Sequence, residues 1–268
     1  MSIRLLAIDL DGTLLTDAKQ IAPPTAAALR SLAHNGLKIV FASARPPRSI
    51  RPFYEELALD TLQINYNGAL IWHEPARRPF FHQPMPGQLV LNVIYHARTL
   101  YPGLLASLEV LDHWYTDRID PAFLTETARA FHPDSIAPIH TFCNQPITKL
   151  MFLGHLSVII GLEQTLRFAY PDDIVTTRCD DHLLQIMHHR ASKAAALKMI
   201  AHHYAIPMSD TLAIGDAPND IDMLQSAGLS VAVANAHPSV KEIAQWISPA
   251  PNSDGVLAAL QHYQLLPA

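Results

Sequence analysis

Cysteine is scarce in this chain of 268 residues, which contains only Cys143 and Cys179. Two cysteines are too few for a disulfide framework or for a four-ligand zinc site of the usual spacing. We therefore predict that both side chains are ordinary reduced thiols, as is usual in proteins of the cytoplasm.

Charge is also sparse, at 16% of the residues, whereas 49% are hydrophobic. This balance excludes a disordered or highly charged chain and is enough to bury a large core. The 19 Lys and Arg residues against 24 Asp and Glu residues leave a net charge of −5. A mildly acidic chain argues against a nucleic-acid partner. It is compatible with a small anionic substrate that binds in a local site.

Long apolar runs are missing too. The longest, residues 150–162, is interrupted by Gly154 and His155 and is shorter than the ~20 residues that span a bilayer. The first residues, from Met1 to Arg4, lack the apolar segment and cleavage site of a secretory signal. We therefore expect a soluble, cytoplasmic protein without a membrane partner.

The first part of the chain alternates short apolar segments with helical ones. Strands are predicted at residues 3–8, 37–42 and 61–65, and helices from Pro23 to about Gly36 and after Pro47. This β–α–β–α–β order is typical of a parallel sheet with crossover helices. The same pattern returns near Ser192, with helices at 192–204, 220–227, 239–244 and from 255, and strands at 211–214 and 229–233.

The middle of the chain follows a different pattern. Residues 69–82 resemble a hairpin with its turn at 74–77. Beyond it we predict helices at 89–100, 121–131 and 156–168 and strands at 104–115, 147–153 and 174–187. The fold class is therefore α/β: a Rossmann-like core domain of residues 1–82 and 190–268, interrupted by an inserted α+β domain of residues 83–189.

The turn after the first strand carries two carboxylates, Asp9 and Asp11, followed by Gly12 and Thr13. Carboxylates two residues apart repel each other unless a cation or protons neutralise them. Gly12 allows a tight turn, so that nearby N–H groups can point at an anion. Directly after a buried strand, this arrangement indicates an anion or metal site more than a solvated loop.

Two further polar residues follow predicted strands or open a helix. Ser43 comes after the second strand, where its hydroxyl suits a phosphate oxygen or, equally, the N-terminus of the next helix. Lys193 begins a helix after Ser192, and its ammonium group can bind a phosphate as a point charge. Taken alone, a lysine at such a position is more often a surface residue.

A second acidic segment, residues 215–220 (GDAPND), follows the strand at 211–214, and Asp222 comes shortly after it. Carboxylates at strand ends form a hard oxygen site suited to Mg²⁺, although Asp and Asn also cap helices. Since the carboxyl ends of parallel strands share one edge of the sheet, all these groups should meet there.

Together, these motifs resemble those of the haloacid-dehalogenase-like hydrolases, specifically the Cof-type phosphatases with a type IIB cap. The resemblance covers essentially the whole chain. It rests on segments that match recurring family motifs: 9–15, 67–69, 147–149, 215–223, 235–236, 240–241 and 254–256. Three departures are visible: Ser43-Ala44-Arg45 for the usual Thr-Gly-Arg, residues 188–190 (HHR) where Pro and Gly are common, and Ala234 for a common Gly.

This resemblance implies a role for each matched residue. Asp9 is expected to attack phosphorus and form an aspartyl-phosphate, while Asp11 protonates the leaving oxygen and later deprotonates water. Mg²⁺ is expected on the Asp9 carboxylate, the Asp11 carbonyl and Asp216, with Asp220 holding a metal-bound water or Lys193.

The phosphoryl oxygens are expected to bind a separate set of groups, which supply hydroxyl, amide, ammonium and backbone N–H donors. These groups are Ser43, Lys193, Asn219 and the N–H of Leu10 and Ala44. Arg45 is a candidate substrate contact, and a surface or core-to-cap ion pair is equally compatible with its position.

The expected function is a Mg²⁺-dependent phosphatase of small phosphorylated metabolites, such as sugar phosphates or phosphorylated cofactors. The inserted domain is expected to act as a cap that excludes water and selects the leaving group. A phosphotransferase or phosphomutase is an alternative, distinguished by whether phosphate passes to a sugar or to water. A non-catalytic phosphometabolite-binding protein is another, and the intact set of acidic residues argues against it. We expect a monomer or a small homo-oligomer.

Overall fold

The computed structural model describes residues 3–266, apart from the side chains of Glu126 and Cys179. The chain divides into two compact units. The core unit consists of the residues up to Phe80 and those from Ser192 onward, and the inserted unit is Phe81–Ala191. The inserted unit thus begins at 81 against the predicted 83 and ends at 191 against the predicted 189.

Strands and helices largely alternate along the core unit, whereas the inserted unit has pairs of consecutive strands between its helices. In chain order, the strands of the described residues are β1 (Leu5–Ile8), β2 (Lys38–Phe41), β3 (Leu62–Asn65), β4 (Leu70–His73), β5 (Arg78–His82), β6 (Leu105–Val110), β7 (His113–Thr116), β8 (Ser135–Ile136), β9 (Lys149–Leu153), β10 (Ile174–Asp180), β11 (Leu183–His188), β12 (Thr211–Gly215), β13 (Leu229–Ala232) and β14 (Trp246–Ile247). The helices are α1 (Pro23–His34), α2 (Pro47–Leu57), α3 (Gly87–Leu100), α4 (Glu126–Ala130), α5 (Leu156–Ala169), α6 (Lys193–His203), α7 (Ile221–Ser226), α8 (Pro238–Ile243) and α9 (Asn252–His262).

A five-stranded parallel sheet forms the centre of the core unit, in the order β14-β13-β12-β1-β2. Every residue of β1 is buried, as expected for a strand covered on both faces. This confirms the predicted α/β class with a parallel sheet. The carboxyl ends of β1, β2 and β12 lie side by side, so the turns that follow them share one edge.

The third predicted strand departs from this sheet. β3 joins β2 by a single parallel bridge, Ala42 to Ile64, directly after the end of β2 at Phe41. It pairs instead with β4, antiparallel, in a three-stranded sheet completed by β5. The predicted hairpin at residues 69–82 corresponds to β4 and β5.

The inserted unit contains a six-stranded sheet in the order β10-β11-β9-β6-β7-β8. One face packs against α3 and α5, whose buried residues form an apolar core with alternate residues of β6, β9 and β11. The predicted strands at 104–115 and 174–187 are each a hairpin of two strands, β6–β7 and β10–β11.

The predicted helix at residues 121–131 is wrong. The structure has a short 3-10 turn, Pro121–Phe123, and then the separate helix α4. The break occurs because Thr125 accepts a hydrogen bond from the N–H of Ala128 and so starts a new helix. The two-residue strands β8 and β14 were not predicted, since periodicity cannot be recognised over so short a segment. Among the described residues, no helix has the length and apolar character to cross a membrane.

Burial predicts very different effects for two phenylalanines of the inserted unit. Phe152 on β9 is fully buried in the apolar core, whereas Phe168 in the last turn of α5 is 90% exposed. We expect Phe152→Ala to lower the free energy of unfolding by about 3–5 kcal/mol. The control, Phe168→Ala, should change it by less than about 0.5 kcal/mol. Urea denaturation measures both, and equal effects would contradict this assignment of the core.

Candidate active site

The turn after β1 brings Asp9 to the edge of the sheet and buries it. The carbonyl of Leu10 accepts hydrogen bonds from the N–H groups of the residues at 13, 14 and 15, so the chain turns tightly. Gly12 is needed in this turn, because its φ is +84° and a Cβ there would lie 2.4 Å from Asp216 Oδ2. The backbone at Gly12 therefore passes close to the carboxylate of Asp216 on the neighbouring strand end.

Lys193 lies at the centre of the site and is only 1% exposed. Its Nζ donates to Asp9 Oδ1 at 2.6 Å and to Asp220 Oδ1 at 2.6 Å. The alternative of a surface lysine is therefore wrong. Lys193 directly follows Ser192, the N-cap of α6, whose hydroxyl accepts from the N–H of Ala195.

Asp222 supports this helix start. It accepts hydrogen bonds from the Ser192 hydroxyl and from the N–H of Ala194. It thus fixes the N-terminus of α6, from which Lys193 extends. Within the described part of the chain, the metal-ligating group found at this site does not include Asp222.

Three carboxylates surround the ammonium. Ligand atoms of Asp9, Asp216 and Asp220 all lie within 4.8 Å of one another, a spacing that suits a metal ion. Three carboxylates and one ammonium carry a formal charge of −2, which one divalent cation balances. Hard oxygen donors of this kind are the ligands that Mg²⁺ prefers, so the residues present fit that ion.

Asp220 differs from the other two in its hydrogen bonds. Its Oδ2 accepts from the N–H groups of Asp216 and Ala217, both at 3.0 Å, while Oδ1 is bound to Lys193. Both oxygens of Asp220 thus already accept hydrogen bonds. This favours a role for Asp220 in orienting Lys193. Asp216 Oδ1 accepts from the hydroxyl of Thr13 at 2.7 Å.

The pKa values of these groups reflect the close spacing of their charges. Burial and the neighbouring Asp220 charge raise the pKa of Asp9 well above its usual range, against the opposing effect of Lys193. Burial also raises the pKa of Asp216 to about 6, although the Thr13 hydrogen bond opposes it. Burial by itself lowers the pKa of Lys193, but the two carboxylates outweigh it and raise that pKa above its ordinary value.

Asp11 has a different environment. Its carboxylate accepts from Arg45 Nε and Nη2, each at 2.6 Å, and from Lys19 Nζ at 2.9 Å. Burial raises the pKa of Asp11, but these two cations outweigh it and lower the pKa overall. Arg45 therefore forms an ion pair inside the core unit. Lys19 was not predicted, since a lone lysine in a loop carries no motif or periodicity.

The predicted phosphate-binding residues form a second group. The Ser43 hydroxyl accepts from the N–H of Arg45 at 3.2 Å, and α2 begins at Pro47 without a side-chain cap, so Ser43 does not cap that helix. The amide of Asn219 donates to Asn67 Oδ1 at 3.0 Å. The N–H of Asn67 in turn donates to the Ser43 carbonyl at 3.1 Å, which links these residues.

Two of the predicted phosphate ligands are backbone groups, those of Leu10 and Ala44. Leu10 lies in the tight turn between Asp9 and Asp11 and is fully buried. Ala44 follows Ser43 and is half-buried. The structure therefore places both beside residues of the site.

Comparison with known proteins identifies the family. The model of the haloacid dehalogenase-like hydrolase family matches residues 6–260. The chain therefore belongs to the haloacid dehalogenase-like hydrolases, in their Cof-type phosphatase group. The resemblance seen in the motifs is confirmed.

Curated relatives and solved structures match along nearly the whole chain. YitU of Bacillus subtilis, named 5-amino-6-(5-phospho-D-ribitylamino)uracil phosphatase, is 27% identical over 267 residues, which are 97% of each protein. The HMP-PP phosphatase of Cronobacter sakazakii is 30% identical over 239 residues, covering 88% of this chain and 86% of that one. The structure of the subclass IIB sugar phosphatase BT4131 shares the fold, with a TM-score of 0.81 at 21% identity over 98% of this chain and all of that one.

The acidic cluster predicts a pH-dependent response to Mg²⁺. Because the folded metal-free chain holds protons on Asp9 and Asp216 more tightly than the unfolded chain, its free energy of unfolding decreases as the pH rises from about 4 to about 6. A cation competes with those protons. Excess Mg²⁺ should therefore raise Tm by about 5 °C near pH 7.5 and by much less near pH 5.

Differential scanning calorimetry with and without Mg²⁺ measures this response. Asp216→Asn removes one carboxylate of the cluster and should abolish most of the increase at the higher pH. Asp17→Asn, an exposed aspartate of the core unit, is the matched control. An equal increase in Tm at both pH values would contradict the predicted competition.

Proposed function

We propose that this protein is a Mg²⁺-dependent phosphatase that hydrolyses phosphate monoesters of small metabolites through an aspartyl-phosphate on Asp9. The proposal rests above all on the buried cluster in which Lys193 binds both Asp9 and Asp220 beside Asp216. Asp9, the Asp11 carbonyl and Asp216 would hold the cation, which would supply positive charge against the repulsion between an anionic nucleophile and an anionic phosphate.

In the first step, a carboxylate oxygen of Asp9 forms a bond to phosphorus while the bond to the leaving oxygen breaks. Asp11 gives its proton to that oxygen, so the product leaves as a neutral alcohol. In the second step, water attacks the phosphorus of the aspartyl-phosphate and Asp11 accepts its proton. Orthophosphate leaves, and the Asp9 carboxylate is restored.

The remaining residues position the phosphoryl group. Lys193, Ser43, Asn219 and the N–H groups of Leu10 and Ala44 are proposed to bind its oxygens, where negative charge is spread in the transition state. Asp220 would hold the Lys193 ammonium in place, as the hydrogen bond between them supports.

The contacts of Asp11 bear on the order of these steps. Held by Arg45 and Lys19, Asp11 is a carboxylate, which is the form that accepts a proton from water. For the first step it needs a proton. We propose that an anionic substrate draws these two cations toward itself, which makes Arg45 a substrate contact and frees Asp11 to be protonated.

The proposed substrates are small phosphorylated metabolites. The matched relatives are named for activity on a phosphorylated ribitylaminouracil, on HMP-PP and on sugar phosphates. We propose that the inserted unit, as a cap, sets the choice of leaving group. The cytoplasm is the proposed compartment, in keeping with the low cysteine content.

Turnover of p-nitrophenyl phosphate tests the central proposal. With Mg²⁺ the protein should release p-nitrophenol, and excess EDTA should stop the reaction. Asp9→Asn keeps the side-chain shape but removes the nucleophile, so kcat should fall by at least about 10³-fold. Asp17→Asn should retain normal turnover. Full activity in EDTA would contradict the metal's role, and full activity of Asp9→Asn would contradict the nucleophile.

A comparison of leaving groups tests the contact between Lys19 and Asp11. An alkyl phosphate needs its leaving oxygen protonated, whereas p-nitrophenolate leaves readily without a proton. If Lys19 acts through Asp11, Lys19→Ala should raise the ratio of kcat/KM for the alkyl ester to that for p-nitrophenyl phosphate by up to about 10-fold, because Asp11 without this cation holds the proton that the alkyl leaving group needs. Lys198→Ala, an exposed lysine on α6, should leave the ratio unchanged. An unchanged ratio in Lys19→Ala would mean that the contact has no part in proton transfer.

A further inference from the structure

Asn67 contains a buried hydrogen-bond donor that lacks an acceptor. Its side chain is 6% exposed, and Oδ1 accepts from the amide of Asn219. Among the residues that the structure describes, Nδ2 has no hydrogen-bond partner. A buried amide donor left unpaired lowers stability, so such a group calls for an explanation.

The backbone around Asn67 is strained as well. Tyr66, Asn67 and Gly68 have φ values of 51°, 54° and 98°, so three consecutive residues adopt the left-handed region. This region is unfavourable for a residue with a side chain, above all for an aromatic one. Strain of this kind persists where the surrounding structure holds it and often marks a functional site.

The strained turn is held between two parts of the proposed site. The N–H of Asn67 donates to the carbonyl of Ser43, and Gly68 packs against the backbone of Ser192, next to Lys193. A Cβ at Gly68 would lie 2.2 Å from the Ser192 carbonyl oxygen, so the approach requires glycine. The turn thus carries the Asn67 amide to a position between Ser43 and Asn219, two proposed phosphate ligands.

We propose that Asn67 is a further phosphoryl-binding residue, which donates from Nδ2 to an oxygen of the bound phosphate beside Asn219. This inference rests on the proposed phosphatase function. The phosphate oxygen would supply the acceptor that Nδ2 lacks, and the rigid turn would hold the donor in place before substrate arrives. A role limited to orienting Asn219 through Oδ1 is the competing explanation.

Asn67→Asp is the first variant that bears on these two explanations. The carboxylate retains the oxygen that accepts from Asn219 and tolerates the left-handed backbone, but it replaces the donor with an acceptor. If Nδ2 binds phosphate, the Kd for inorganic phosphate in the presence of Mg²⁺ should rise by about 10- to 100-fold. Asn35→Asp, the same change at an exposed position of the core unit, should leave that Kd unchanged.

A neutral substitution removes the influence of the added charge. Asn67→Ala should weaken phosphate binding also in an Asn219→Ala background, because the two amides would donate independently. If Asn67 acts only through Asn219, Asn67→Ala should have no further effect in that background.

Isothermal titration calorimetry with inorganic phosphate gives the Kd of each variant. Calorimetric melting confirms that every variant is folded, and an Asn67 variant that does not fold is replaced by Asn67→Ser.

The outcomes distinguish this inference from the proposed function. A wild-type protein that neither binds phosphate nor hydrolyses p-nitrophenyl phosphate would overturn both. If the wild type does both, and the Asn67 variants bind phosphate as Asn35→Asp does or lose nothing in the Asn219→Ala background, the inference alone is overturned. A loss in both backgrounds supports direct donation.

Discussion

The burial of one ammonium group among carboxylates is the constraint on which the site depends. Lys193 has almost no contact with solvent, so its charge is tolerable only because Asp9 and Asp220 accept hydrogen bonds from its ammonium group. The reverse also holds, since those carboxylates would repel one another without it. The remaining excess of negative charge suits the binding of a divalent cation.

The backbone around this cluster is shaped to permit such close approach. Glycines stand where a side chain would collide with Asp216 or with Ser192, and Asp222 holds the start of the helix that carries Lys193. Parallel strands place β1 and β12 next to each other, so their following turns share one edge. The scaffold therefore brings together, at fixed distances, charges that would separate in a flexible chain.

Much of this arrangement was predictable from the sequence. Apolar strands that end in acidic turns identify Asp9 and Asp216, and their positions in neighbouring parallel strands bring them together. The contacts of Asp11 with Lys19 and of Asn67 with Asn219 were not predictable, because they depend on loop conformation and on side chains far apart in the chain. The break in the predicted helix at 121–131 came from a single cap at Thr125, which is a local hydrogen bond that periodicity does not detect.

The ion pair between Lys193 and Asp9 joins residues 184 positions apart in the chain. During synthesis on the ribosome, β1 emerges long before its neighbour β12, and one of its edges stays unpaired until the whole inserted unit has been made. The six-stranded sheet of that unit, by contrast, is built from one continuous segment. An amino-terminal fragment of the nascent chain thus contains Asp9 but not Lys193, Asp216 and Asp220, which surround it in the folded chain. Such a fragment lacks the assembled acidic cluster, so premature termination leaves the candidate site incomplete.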